Sequence, residues 1–150
     1  MNTLKLYRLA QKLPVGTRFF SWALNQVAPY FGSIHAHIEQ LTPNYAKVSL
    51  KKRRSVQNHL KTVHAIAMCN MAELAGGLMT DVSIPQGSQW IPVGMSVQYL
   101  KKAKTDLVAE AKGEGINWRA NEVIVPVEVR DTANVLVFTA HITMNLKHRM

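Results

Sequence analysis

One cysteine among 150 residues rules out an internal disulfide, and Cys69 lies inside the most apolar helical stretch of the chain. It therefore reads as a small buried hydrophobe in a reducing compartment rather than a nucleophile. No run of 18 uninterrupted apolar residues exists; the nearest candidates are broken by Asn70 and Glu73, or by Arg18 and Asn25, so no membrane-spanning helix is expected. Lys5, Arg8 and Lys12 imitate the basic start of a secretory signal, but the apolar block "FFSWAL" is too short to complete one, and the expected location is cytoplasmic. Walker loops, serine elbows and zinc spacings are missing, and "GEG" at 113–115 lacks the strand-to-helix setting of a dinucleotide loop. His35 and His37 alternate on one expected strand with no cysteine or carboxylate pattern to complete a metal site. Neither a metal nor a resident cofactor is expected. Acids are scarce as well: nine against 18 basic residues, for a net charge of +9. Such a field attracts polyanions, among them nucleic acid, the phosphates of a coenzyme A ester, and anionic lipid. Charge alone does not choose, but without a basic recognition helix or an aromatic-bearing strand motif a nucleic-acid partner is not expected.

What is present is an ordinary globular composition, 47% hydrophobic and 18% charged, at the size of one domain core. "NTLKLYRLAQKL" sets Leu6, Leu9 and Leu13 at helical spacing and ends at Pro14; a second, aromatic-rich helix over Thr17 to Val27 stops before Pro29. Both read as a cover packed on the core, with peripheral membrane contact as the competing role. From Ile34 the period changes to two. "HIEQLT", a Pro43-Asn44 turn and "YAKVSLKKR" predict a hairpin, with Ala46, Val48 and Leu50 facing inward. A long helix from about Val63 to Thr80 follows. Four more strands are expected at Ile91 to Lys102, Leu107 to Gly115, Glu122 to Arg130 and Val135 to Leu146. Short connections favour antiparallel neighbours in a meander. The expected fold is therefore α+β, a six-stranded antiparallel sheet wrapped around the long central helix in the hotdog arrangement. Extra N-terminal helices occupy residues 1–32 and the main domain residues 33–150.

That helix carries one carboxylate, Glu73, with Asn70 three positions earlier on the same face. An unpaired ionised carboxylate is expensive in an apolar interior, so Glu73 either reaches solvent, pairs with a cation, or has a use. His64 stands where the helix begins, beside unpaired backbone N–H groups, and Asn58 lies six residues earlier. Nine residues separate His64 from Glu73, about 13.5 Å of rise and half a turn, so in one chain they point apart. If they act together, Glu73 must come from a second subunit.

Asn58, His64 and Glu73, on a long helix between two strands and four, resemble the hotdog-fold acyl-CoA thioesterases of the phenylacetate-pathway type, over about Ser33 to Lys147. The resemblance implies hydrolysis of a fatty or aromatic acyl-CoA, with coenzyme A entering only as part of the substrate, in a homodimer or homotetramer. Glu73 would be nucleophile or general base and Asn58 would position water or the acyl group. His64 would orient, and backbone N–H groups near Ala65 and Ile66 would polarise the thioester carbonyl. Where the family has His-Gly-Gly, this chain has His64-Ala65-Ile66, which narrows the approach to the backbone. A non-catalytic hotdog module that binds a fatty acyl chain or acyl-CoA is therefore the alternative. Asn70 is a further candidate contact to the substrate. Arg53 and Arg54, or Lys101 and Lys102, are candidates for the nucleotide phosphates, against the plainer role of solvated strand ends.

Overall fold

The computed structural model describes residues 2–148. Three helices come first, α1 (Thr3–Gln11), α2 (Gly16–Val27) and the single turn α3 (Pro29–Gly32). The hairpin β1 (His37–Thr42) and β2 (Tyr45–Leu50) follows, then α4 (Ala65–Ser83). Strands β3 (Gln89–Tyr99), β4 (Leu107–Lys112), β5 (Glu122–Asp131) and β6 (Leu136–Lys147) complete the chain. All six strands form one antiparallel sheet that packs around α4, as expected of a hotdog domain.

The alternation in β2 is realised: Ala46, Val48 and Leu50 are buried beneath α4. Asn44 supplies the left-handed turn residue, φ 64°, that closes the hairpin. α4 is rich in Ala, Leu and Met, which favour helix, and buries 12 of its 19 residues. Two adjacent glycines let it lie close to its surroundings. A Cβ at Gly76 would sit 2.9 Å from Ile142 Cδ1, and one at Gly77 2.8 Å from the Trp90 ring. α4 begins two residues later than the sequence suggests, because Val63 is held in extended form, donating its N–H to the Ala103 carbonyl at 2.8 Å and bridging to Gln57. At the other end the helix runs on to Ser83, just before Ile84 and Pro85.

Two expectations are corrected. The strand order is β1-β2-β4-β5-β6-β3, not a meander: among the described residues β3 pairs only with β6, and β4 inserts between β2 and β5. The short segment 100–106 is therefore a crossing rather than a hairpin turn. It is pinned to β6 by Leu100 N–H on the Val137 carbonyl (2.9 Å), to the start of α4 by Val63 on Ala103, and beyond β2 by Lys52 N–H on Asp106 Oδ1 (2.8 Å). The second correction concerns α1, whose Leu stripe does not pack on the core. Leu9 and Leu13 are 60% and 62% exposed, whereas Tyr7 is fully buried.

Tyr7 and Ser21 together seal one edge of the sheet. β1 has a register shift at Glu39, and the carbonyl this frees accepts the Tyr7 hydroxyl at 2.9 Å. Ser21 Oγ accepts the Ile38 N–H at 3.1 Å and donates to the Thr17 carbonyl. Burial, then the Glu39 charge, pushes the Tyr7 phenol above its ordinary pKa, as suits a neutral donor. The β3 edge has no such cover among the described residues.

Candidate functional site

A cleft of about 440 Å³ opens where the loop 58–63, the first turn of α4 and the crossing segment meet. Asn58, Ala65, Lys101 and Lys102 line it, so the fold collects four of the expected site residues. Met68, Tyr99 and Leu100 add an apolar wall.

The hydrogen bonds assign these residues more narrowly than the sequence does. Asn58 Oδ1 accepts the N–H groups of Leu60 (3.0 Å) and Thr62 (3.1 Å), and its Nδ2 donates to Thr62 Oγ1 (2.9 Å). Its amide thus holds the loop in shape, and within one chain Asn58 is a scaffold rather than a group free to orient water. His64 caps α4: Nδ1 accepts the Ile66 N–H at 3.0 Å, which puts the ring proton on Nε2 in the neutral form. Removing a cap of this kind costs about 1 kcal/mol. The cap also corrects the expected oxyanion donors, since the Ile66 N–H is already occupied. The Ala65 N–H, at the wall of the cleft and at the positive end of the helix, has no acceptor among the described residues.

Two expectations about phosphate and substrate contacts also change. Arg53 is pinned, donating from Nη2 to the Ile34 carbonyl (2.6 Å) and from Nε to Ser55 Oγ (2.8 Å). Arg54 opens the short turn Arg54–Val56, and neither arginine lines the cleft. Of the expected phosphate contacts Lys101 and Lys102 are carried to it, because the crossing segment is tied by Ala103 to Val63, just before α4. Asn70 is buried on the side of α4 that meets α3, with Nδ2 directed at the Tyr30 carbonyl (3.3 Å) and Ser33 Oγ (3.4 Å). Its Oδ1 is buried without a partner among the described residues, and Asn70 does not line the cleft.

Glu73 is half-buried on the outward stripe of α4, in line with Ile66 and Cys69. Its carboxylate makes no ion pair or hydrogen bond among the described residues, and it does not line the cleft of its own chain. Cys69 is likewise half-buried, correcting the buried reading, with its thiol 3.6 Å from the Tyr99 hydroxyl. That hydrogen bond, followed by burial and the Cys69 charge, raises the Tyr99 pKa. In the sequence nothing marks Tyr99 apart from its position just before Leu100 and the two lysines. Beside this stripe, the open β3 edge displays Ile91, Val93, Met95 and Tyr99, all substantially exposed. An exposed apolar edge strand is a template for pairing with another chain. No group of three or more His, Cys, Asp or Glu among the described residues is placed to hold a metal ion.

The family described as a domain of unknown function (DUF4442) matches residues 16–146. A structural-genomics protein of 46% identity superimposes over 98% of this chain and 98% of its own, with a TM-score of 0.88. A thioesterase from Haemophilus influenzae, 16% identical, aligns over 83% of this chain and 88% of its own at a TM-score of 0.74. A protein of unknown function from Pseudomonas aeruginosa, described as a probable thioesterase, aligns at 19% identity over 91% and 97%, with a TM-score of 0.77. At such identities the last two establish the hotdog fold alone. No curated protein matches the chain.

Proposed function

The chain belongs to the DUF4442 family and has the hotdog fold, and from that premise we propose that it is an acyl-CoA thioesterase with a site shared between two subunits. The observation that carries this reading is Glu73: an unpartnered carboxylate on the outward stripe of a predominantly apolar helix, beside an uncovered sheet edge. Pairing of two β3 edges would set two α4 helices side by side across a two-fold axis. Glu73 of one protomer could then complete the Ala65 cleft of the other. In that site the Ala65 N–H and the helix dipole stabilise the oxyanion of the thioester carbonyl. Lys101 and Lys102 hold the coenzyme A phosphates as charge-assisted donors, and Met68 and Leu100 line the way for the acyl or pantetheine chain. Glu73 either takes a proton from the attacking water or attacks the carbonyl itself, to be released by water. In the first route water adds to the carbonyl; in the second Glu73 forms a mixed anhydride that water opens at the acyl carbon. In both the C–S bond breaks, water supplies the oxygen of the acid product, and its proton leaves with the coenzyme as the thiol.

The test is release of free coenzyme A thiol from a panel of short, long and aromatic acyl-CoA esters. Wild type should turn over at least one, and Glu73→Gln should lower the rate by about 10²–10⁴-fold, the usual contribution of a positioned base. A wild-type protein that releases no thiol from any ester in the panel refutes the reading. One observation favours the non-catalytic alternative: His64 already occupies the Ile66 N–H, one of the two expected oxyanion donors. Native mass spectrometry that finds a retained fatty acyl chain or acyl-CoA, with no hydrolysis, would support that module.

A further inference from the structure

α1 and α2 bury Tyr7 and Phe20 but turn most of their other large apolar side chains outward. Tyr7 and Phe20 meet edge to face inside, with ring centroids 5.2 Å apart. Gly16 lies so near α1 that a Cβ there would fall 1.9 Å from the Ala10 carbonyl oxygen. At that point the helices approach too closely for any side chain to lie between them. Leu6, Leu9 and Leu13 form one exposed stripe on α1 and the turn after it. Val15, Phe19 and Trp22 form a second along α2, with the last two rings 5.6 Å apart. Leu13 and Val15 flank the same turn, so the stripes converge there. Exposed apolar surface gathered in this way marks an interaction site rather than scattered residues.

The charge around the stripes selects the partner. Residues 1–38 contain Lys5, Arg8, Lys12 and Arg18 and not one Asp or Glu; the first acid is Glu39. All four cations are exposed, and none is in an ion pair among the described residues. A second copy docking here would set these cations against their equivalents with no acid between them. The patch also packs on β1, at the opposite edge of the sheet from β3, so a dimer formed through β3 leaves it free. No helix among the described residues is long and apolar enough to cross a membrane, so contact would be with a surface.

We propose that the α1–α2 pair docks on the surface of an anionic lipid bilayer. Phe19, Trp22 and the leucines enter the boundary between headgroups and acyl chains, and the four cations face the lipid phosphates. Aromatic and aliphatic residues on one side with Lys and Arg around them is the pattern of an interfacial helix, and its attraction to anionic lipid weakens with salt. The full chain is incubated with sucrose-loaded vesicles of phosphatidylcholine, alone or mixed with phosphatidylglycerol, and sedimented. The expected result is binding to the mixed vesicles, reversed by salt, with little binding to phosphatidylcholine alone. The double variant Phe19→Ser/Trp22→Ser should lose affinity about ten-fold or more, with unchanged thermal unfolding because both side chains are exposed. Replacing Lys5, Arg8, Lys12 and Arg18 by Gln should remove most of the salt-sensitive binding. The proposal is overturned if wild type does not sediment with phosphatidylglycerol vesicles at low salt, or if the double variant binds as well as wild type. It is also overturned if light scattering shows the double variant breaking a larger assembly into smaller ones, since the stripes would then cover protein.

Discussion

Two inactive variants should rescue one another if Glu73 and the Ala65 cleft form a site only between protomers. Glu73→Gln keeps size and removes the base; because the carboxylate makes no bond among the described residues, its stability cost should be within about 0.5 kcal/mol. Ala65→Trp places an indole in the mouth of a cleft of about 440 Å³ and blocks the substrate without touching Glu73. The two positions are eight residues apart on one helix, about 12 Å of rise, and Glu73 lies outside its own chain's cleft. When the variants are unfolded together and refolded at equal concentration, random pairing makes about half of the dimers mixed. Each mixed dimer has one site damaged twice and one intact, so activity returns to about one quarter of wild type per protomer. Each parent alone stays near its residual rate, which for loss of the base is about 10²–10⁴-fold down. The assay is thiol release on the ester that wild type prefers. If dimers containing both variants are shown by mass spectrometry, yet the mixture is no more active than its parents, the shared-site reasoning is wrong.

Two further outcomes follow from the same geometry and from the sheet. A two-fold that sets Glu73 opposite the neighbour's His64 passes midway between them, at the level of Met68 and Cys69. Helices packed at roughly 8–10 Å would then bring the two Cys69 thiols within reach of a short bis-maleimide, giving a covalent dimer on a denaturing gel that Cys69→Ser abolishes. Ready labelling of Cys69 by a monofunctional maleimide without any cross-link would exclude that arrangement of α4. Across β2 and β4, Tyr45 donates to Glu110 Oε1 at 2.5 Å, and burial, then Glu110, pushes its pKa from 10.0 up to about 12. A group raised in the folded state contributes stability that is complete below pH 10 and is lost as pH climbs through 12. The gap in urea midpoint between wild type and Tyr45→Phe should therefore shrink over that window, and a gap constant with pH would contradict the assignment.

Much of the architecture is legible in local pattern. Alternation in "YAKVSL" places Ala46, Val48 and Leu50 on one face, and the predominantly apolar character of residues 65–80, interrupted by Asn70 and Glu73, marks the helix that the sheet surrounds. Periodicity carries such information because each residue's side is set by its own backbone geometry. The same signal misleads at α1, where Leu6, Leu9 and Leu13 make the clearer stripe but Tyr7 is the buried residue. Its hydroxyl finds the carbonyl freed at Glu39, a partner 32 positions away that no local pattern reports.

The candidate site divides along the same line. That Glu73 interrupts an apolar helix, and that half a turn separates it from His64, could be determined from the sequence, since both follow from helical spacing. The tertiary structure alone decided that Asn58 and Arg53 are occupied in holding loops, that His64 takes the Ile66 N–H, and that β3 pairs with β6 so that residues 100–106 carry Lys101 and Lys102 to the cleft at the start of α4. Those outcomes depend on which polar groups are left unpaired once the sheet has chosen its order. That choice is made by packing between distant segments, which no spacing within one segment encodes.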